Sequence, residues 1–402
     1  MTGSGAARPG LLLVLQRELR WLRRRPAFAT LAICYPLLLF LLLAAVFNTG
    51  LPTDLPIAVL DQDRTDLSRR ITRMIDATPD VAVAHRVEDL AAGRRLIEEG
   101  GAYAVVMLPA RLERDVAAGH RPDIVVFYNN QLMTSGSIVS RAIGDAIAAA
   151  AGGVATAARS ARGTPPALAQ AAVIPIPVQQ SPLFNPTLNY IQFLLAALVP
   201  AVLQVFVCAT SAYSVGLDRR SAVGLRLLAR LGGGIAPALA GKLLPYTLAF
   251  LAVLGTADAL LFGYLGAPFR GDWRLVALAA LLFILAYQLV GTLFALIGRD
   301  TVQALSLAGL YTAPSFGFIG ISFPRLAQGW FAQGWGSLLP VTWFMQIRID
   351  QSLRGAPVAA SLRPLFWLAL TVAILLTLVV LRLVQLRAIR LRAATAAAEA
   401  AA

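Results

Sequence analysis

The stretch of the chain nearest to a nucleotide site is Gly232–Lys242, GGGIAPALAGK. A phosphate-binding loop needs Gly-x4-Gly-Lys followed by Ser or Thr, because backbone amides cradle the phosphates, the lysine reaches them and the hydroxyl holds magnesium. Here Gly241-Lys242 is followed by Leu243, and Ala236 stands where the upstream glycine belongs. The segment therefore reads as a glycine turn leading into an apolar run, and the chain as one that neither hydrolyses ATP nor carries a cofactor. Asp61-Gln62-Asp63 alternates like a pair of metal ligands, but no further acids follow at ligand spacing. Closing a strand and capping the next helix is the competing role, and no metal site is expected. Ser68, Ser135 and Ser137 have no partnered His and Asp, and none lies in Gly-x-Ser-x-Gly, so hydrolase chemistry is unsupported. His85 and His120 stand apart, and Cys34 and Cys208 both fall in apolar runs, where cysteine behaves as a small hydrophobe.

Asp258 differs in kind, because it lies inside an apolar run, where an ionisable group is unfavourable and marks a functional site by default. A hydrogen bond to a neighbouring helix, or a depth near the outer interface, is the structural alternative. Gln192, Gln204, Gln288 and Gln303 either line a path or join helices.

The elements that carry these residues follow from composition. Of 402 residues, 58% are hydrophobic and 14% charged, with mean hydropathy +0.69. Soluble domains are roughly 45–50% apolar and about 25% charged, so this composition belongs to lipid. The net charge of +14 does not indicate nucleic acid, since the arginines flank apolar runs and no basic, aromatic-interleaved face is present. Six runs, 27–47, 188–216, 243–265, 275–297, 302–321 and 365–384, reach the ~20 residues that a ~30 Å hydrocarbon core requires. The first outlasts the apolar stretch of a signal peptide and lacks a small-x-small cleavage site, so it reads as an uncleaved anchor.

Arginines set the orientation. Arg17, Arg20, Arg23, Arg24 and Arg25 precede the first run, and Arg219, Arg220, Arg226, Arg230 and Lys242 follow the second. Arg382, Arg387, Arg390 and Arg392 close the sixth. All three groups fall on one side, which the positive-inside bias makes cytoplasmic. Arg325, Arg348, Arg354 and Arg363 on the other side run against this bias.

The outer segment alternates strands with helices: 55–60, 81–84, 102–108 and 124–128 read as strands, 67–75 and 88–99 as helices. That pattern is an α/β module with a partly parallel sheet. An Ala-rich stretch from 138 to 172 reads as a helical stalk broken near Gly152–Gly153 and again at 163–166, and the proline-rich 174–182 as extended chain. The fold expected is thus an α-helical polytopic membrane protein of six transmembrane helices with an extracytoplasmic α/β domain between helices 1 and 2. Its parts are a cytoplasmic amphipathic segment 1–26, helix 27–47, the α/β domain with its stalk 48–187, a transmembrane domain 188–385 and a cytoplasmic tail 386–402. Asn185 is placed to cap the second span, with Pro186 turning into it, and Asn189 and Gln192, three apart, share a helix face beside Tyr190.

Four stretches carry a family resemblance. They are Arg17-Glu18-Leu19-Arg20 with Arg23-Arg24-Arg25-Pro26 leading to Tyr35-Pro36; the strand LPIAVL with Asp61-Gln62-Asp63; Phe184-Asn185-Pro186-Thr187-Leu188-Asn189-Tyr190; and Phe323-Pro324-Arg325-Leu326 with Leu339-Pro340-Val341-Thr342-Trp343-Phe344. In order and spacing the chain resembles the ABC-2 family of transporter permeases, in particular the six-span, drug-exporter-type membrane subunits of bacterial envelopes. The likeness covers nearly the whole chain.

The resemblance implies an exporter subunit of the inner membrane with both termini cytoplasmic. It moves an amphipathic or hydrophobic substrate outward with ATP and Mg bound by a separate cytoplasmic ABC ATPase. Further implied partners are a second permease copy or paralogue, a periplasmic adaptor with an outer-membrane channel, and membrane lipid; nucleic acid is not among them. Coupling to the ATPase maps to the loop 217–242, with Asp218, Arg219, Arg220, Gly224, Leu225 and Arg226, although the family's Gly-Thr after span two is lacking. The transport pathway maps to Asn185, Asn189, Tyr190, Gln192, Gln204 and Asp258. A re-entrant outer segment, 322–363, carries an outer gate of Phe323, Pro324, Pro340 and Trp343, for which an interfacial aromatic belt is the alternative. The rival functions are a proton-driven secondary transporter using Asp258 and a membrane-anchored envelope protein whose outer domain binds a partner.

Overall fold

The computed structural model describes residues 9–47, 52–131, 133–163, 165, 184–185, 189–221, 224–321 and 323–399. The chain divides into two units, Leu51–Ser181 and a second made of Met1–Gly50 with Pro182–Ala402.

In the first unit β1 (Leu55–Asp61) is followed by α3 (Asp66–Asp76), β2 (Val81–Arg86), α4 (Leu90–Glu98), β3 (Ala104–Leu108), α5 (Leu112–Ala117), β4 (Val125–Tyr128) and α6 (Met133–Ala161); α1 (Leu11–Arg23) and α2 (Pro26–Val46) precede them in the other unit. The sheet order is β2-β1-β3-β4, with β1 parallel to β2 and β3, and β4 antiparallel to β3. Central β1 has both faces covered, so Ile57, Ala58, Val59 and Leu60 are buried in succession rather than alternately. Helix α3 begins at Thr65, whose hydroxyl accepts from Ser68 N. Asp61 Oδ1 accepts from the backbone of Asp63 and Arg64, its Oδ2 from Ser68 Oγ at 2.7 Å, and Asp63 Oδ2 from Glu113 N at 3.0 Å. These carboxylates close a turn, the alternative weighed against a metal site.

Helix α6 differs from the expected broken stalk. It runs through Gly152–Gly153 without a break and ends near Gly163, whose φ of +90° suits a residue without Cβ. Its first half docks on α3 and the sheet through Ile138, Val139, Ala142 and Ile143, a spacing of one helical face. Helix formation through two glycines costs about 2 kcal/mol relative to alanine, which the surrounding alanines and the docked half offset. The expected extended stretch 174–182 lies outside the described residues.

The second unit opens with amphipathic α1 (Leu11–Arg23), then α2 (Pro26–Val46). After the first unit come α7 (Ile191–Arg220), α8 (Gly224–Gly232), α9 (Ile235–Tyr264), α10 (Trp273–Ile297), α11 (Thr301–Thr312), α12 (Trp330–Leu338), α13 (Pro340–Ile349) and α14 (Val358–Glu399). Six described helices are long and apolar enough to cross a membrane: α2, α6, α7, α9, α10 and α14 within Val358–Ile389. The fifth expected span is therefore replaced in that set by α6, which packs in the α/β unit. Helix α11 stops at Thr312 because Pro314 has no N–H and its ring crowds the preceding turn; a 3-10 turn, Ala313–Gly317, follows. Helix α9 starts eight residues before the expected 243, which puts Lys242 inside a helix instead of in the turn before one. The core lies between α7 and α10. A Cβ on Gly291 would stand 2.1 Å from Cys208 O, so only glycine allows these helices to approach so closely.

Candidate functional site

Two charged clusters sit at opposite ends of α9. At its start, Lys242 and Tyr246 are one turn apart and share a face; on α7 Ser214 and Asp218 do the same. Helix α1 lies across both. Gly241 makes this possible, since a Cβ there would be 2.6 Å from Leu11 O and 2.9 Å from Val14 Cβ. Glu18 is thereby enclosed. Its Oε1 accepts from Ser214 Oγ at 3.0 Å, Lys242 Nζ at 3.1 Å and Tyr246 Oη at 2.8 Å. Lys242 Nζ also lies 2.7 Å from Asp218 Oδ2, and Arg17 donates to both oxygens of Asp218. That bond with Asp218 holds the Arg17 guanidinium above its usual range. The four charges sum to zero, which is what permits Glu18 and Lys242 to be 2% exposed.

Toward the other end, Asp258 is met by Arg348 of α13, with Nη1–Oδ2 3.0 Å and Nη2–Oδ1 2.5 Å. Sixteen residues, about 24 Å of helix at 1.5 Å each, separate Lys242 from Asp258. Arg348 is 1% exposed and has two further partners. Its Nε donates to Ala196 O at 3.2 Å, and its guanidinium stands 5.4 Å from the Phe262 ring centroid. Ala196 O needs an outside donor because Pro200, four residues on, offers no N–H. One arginine thus joins α7, α9 and α13. A cavity of about 330 Å³ is lined by Asp258, and a second of about 210 Å³ by Arg348 and Gln192.

The break after α11 is joined to α7 by Gln204, which donates to Ser315 Oγ and, at 3.4 Å, to Thr312 O. The profile of the ABC-2 family transporter proteins matches residues 27–381, most of the chain and both clusters except the α1 residues. The chain belongs to this family. No curated protein matches it.

As a member of the ABC-2 family the chain is a membrane transport component, not a catalyst, and its expected coupling residues divide in two. Arg220 and Arg226 are exposed and Leu225 is half-buried on α8, but Asp218 is turned inward to Arg17 and Lys242. Arg219 donates to Ala295 O at 2.7 Å and to Gly298 O, capping the end of α10. Gly224 is required at its turn, where a Cβ would be 2.2 Å from Asp218 O.

Among the pathway residues, Gln192 and Asp258 line the two cavities, with Arg348 between them. Gln204 is held at the α11 break. Asn185 does not cap the helix as expected: its side chain accepts from Asn189 N at 2.9 Å and donates to Asn189 O at 3.2 Å, while Asn189 Oδ1 accepts from Ile191 N. The reason is that the helix starts at Ile191, too far along for Asn185 to reach its first amides. Tyr190 stacks on Phe47, centroids 6.1 Å apart.

At the expected gate, Pro340 starts α13, and Trp343 Nε1 donates to Ser337 O at 2.9 Å. Arg325, whose burial pulls its guanidinium below the usual range, lies 5.6 Å from the Trp343 ring centroid and ties the Pro324 segment to it; Phe323 is exposed.

Glu18, Lys242, Tyr246 and Arg348 were not singled out as site residues from the sequence. The Ser214/Asp218 and Lys242/Tyr246 spacings were a visible signal, but nothing local paired them with Glu18.

Proposed function

We propose that this chain is the permease subunit of an ABC exporter of the bacterial inner membrane. It moves an amphipathic or hydrophobic substrate outward with ATP hydrolysed, with Mg, on a separate cytoplasmic subunit. The observation that carries this reading is the neutral four-charge cluster that ties α1, α7 and α9 together beneath α8. A force applied at α8 is then delivered to two spans at once, while Arg226 and Arg230 remain exposed for an acidic partner surface. A permease without a nucleotide site must have its conformational balance biased by such a partner.

The orientation proposed puts both termini inside and the α/β unit outside, in the periplasm, for an adaptor leading to an outer-membrane channel. Support comes from the three groups of basic residues on the inner side; of the four arginines that run against the charge bias, Arg348 pairs with Asp258, Arg354 with Asp350 at 2.9 Å, and Arg325 packs on Trp343. A second copy or paralogue completes the pathway, since one bundle of this size encloses little space. Proton-driven transport is less consistent with the geometry, because the Asp258 carboxylate is engaged by Arg348.

Isolation from native membranes in mild detergent, followed by mass spectrometry, tests the proposal. An ATPase with a phosphate-binding loop should co-purify in stoichiometric amount, and the isolated chain should hydrolyse no ATP. Robust hydrolysis by the chain alone, or no ATPase partner, overturns it.

A further inference from the structure

We infer that the cavity lined by Asp258 is a binding site for a cationic amphiphile, an apolar body bearing an ammonium group. Its walls are Leu251, Leu254, Phe262, Phe269, Trp273 and Val276 among other apolar residues, and among the described residues Asp258 is its one charged lining residue. The ion pair is asymmetric. The Asp258 side chain is 22% exposed and that of Arg348 2%, so the anion borders the cavity while the cation is enclosed by protein. A carboxylate has about four acceptor sites, and Arg348 occupies two of them, which leaves room for an ammonium without breaking the latch. Aromatic rings attract cations, and two here already do so: Arg348 lies 5.4 Å from the Phe262 centroid and Arg274 5.6 Å from that of Trp273. Phe269 packs edge-on against Phe262, 5.2 Å between centroids, and adds apolar wall. A volume of about 330 Å³ is at the lower end of small-molecule sites, which favours a compact head with a short apolar arm. That such a ligand is cargo rests on the exporter reading; that it binds does not.

The experiment uses the full chain in nanodiscs, with empty nanodiscs as the blank. Binding of 4-phenylbutyltrimethylammonium is compared with binding of its neutral analogue, in which carbon replaces nitrogen. The cation should bind saturably and at least about tenfold more tightly than the analogue, consistent with a partly desolvated charge contact. Asp258→Asn should remove that preference. Because this variant leaves Arg348 without its counter-charge and can fail to fold, Ala277→Trp serves as the second variant. Ala277 is an exposed lining residue outside the contacts given above for the ion pair, and the added ring should occlude the cavity and abolish saturable binding. Equal binding of the neutral analogue, or cation binding retained by folded Ala277→Trp, overturns the inference.

Nanodiscs of one fixed phosphatidylglycerol fraction, with the balance first a neutral glycolipid and then phosphatidylethanolamine, separate the sources of the ammonium group at equal surface charge. Weaker probe binding in the second points to lipid as the natural occupant, and equal binding to a free amphiphile. Cation binding without a co-purifying ATPase sinks the exporter reading alone; the ATPase without cation binding sinks this site alone.

Discussion

Glu18 and Lys242 are 224 residues apart in the chain and meet at 3.1 Å, each 2% exposed. Neither charge has a way back to water unless α1 lifts from α9, so the pair measures whether the N-terminal helix is seated. Lys242 is also the residue that most resembled a nucleotide-binding lysine. In the structure its ammonium is held by Glu18 and Asp218, which gives that sequence feature a structural meaning.

Breaking this cluster on one side should be costly. Glu18→Gln or Lys242→Met is expected to destabilise the protein by about 3–5 kcal/mol, because a buried charge loses its partner. The double variant should recover part of the loss. Thermal unfolding of the detergent-purified chain reads both, and single variants as stable as the parent would show that α1 is not held by these charges.

The Asp258–Arg348 latch should behave alike at the other end. Arg348→Leu leaves both a carboxylate and the Ala196 carbonyl without a donor, and its yield should fall more than that of Arg348→Leu with Asp258→Leu. A double variant no better folded than the single one contradicts a pairwise role.

Substitutions on α8 should separate coupling from folding. Arg226→Glu and Arg230→Glu lie on the exposed face and should change stability by no more than about 0.5 kcal/mol. The amount of ATPase recovered with the chain should drop sharply. Undiminished recovery would place the docking surface elsewhere.

Two glutamines one might treat alike should part company. Gln204→Leu removes the buried donor that serves Ser315 Oγ and Thr312 O and should destabilise by about 1–3 kcal/mol. Among the described residues the buried Gln192 Oε1 has no hydrogen-bond partner, so Gln192→Leu should fold as well as the parent or better. Lost export in a well-folded Gln192→Leu would assign Gln192 to the pathway, and normal export would exclude it.

Topology can be read with one thiol. In a Cys34→Ser background, which removes the exposed native cysteine, Ala118→Cys should react with an impermeant maleimide added to intact spheroplasts. Labelling only after lysis would place the α/β unit inside.

What the sequence by itself determined is what depends on local pattern. Apolar length marked five of the six membrane-length helices among the described residues, because a helix needs about 20 apolar residues to cross hydrocarbon. Alternating strand and helix signals located β1 to β4 within a few residues, since a buried β-strand and an amphipathic helix have different periods. The order of short motifs placed the chain in its family.

The Pro314 break and the early start of α9 were less legible. Both lie in segments whose average hydropathy conceals where backbone hydrogen bonds can form. Only the tertiary structure decided which charges meet. Asp218 looked like a docking residue and is an internal counter-ion, Arg348 looked like a stray loop charge and is the partner of Asp258, and Glu18 drew no notice alone. These pairings join residues on different helices, and burial makes the choice of partner an energetic necessity that no local spacing encodes.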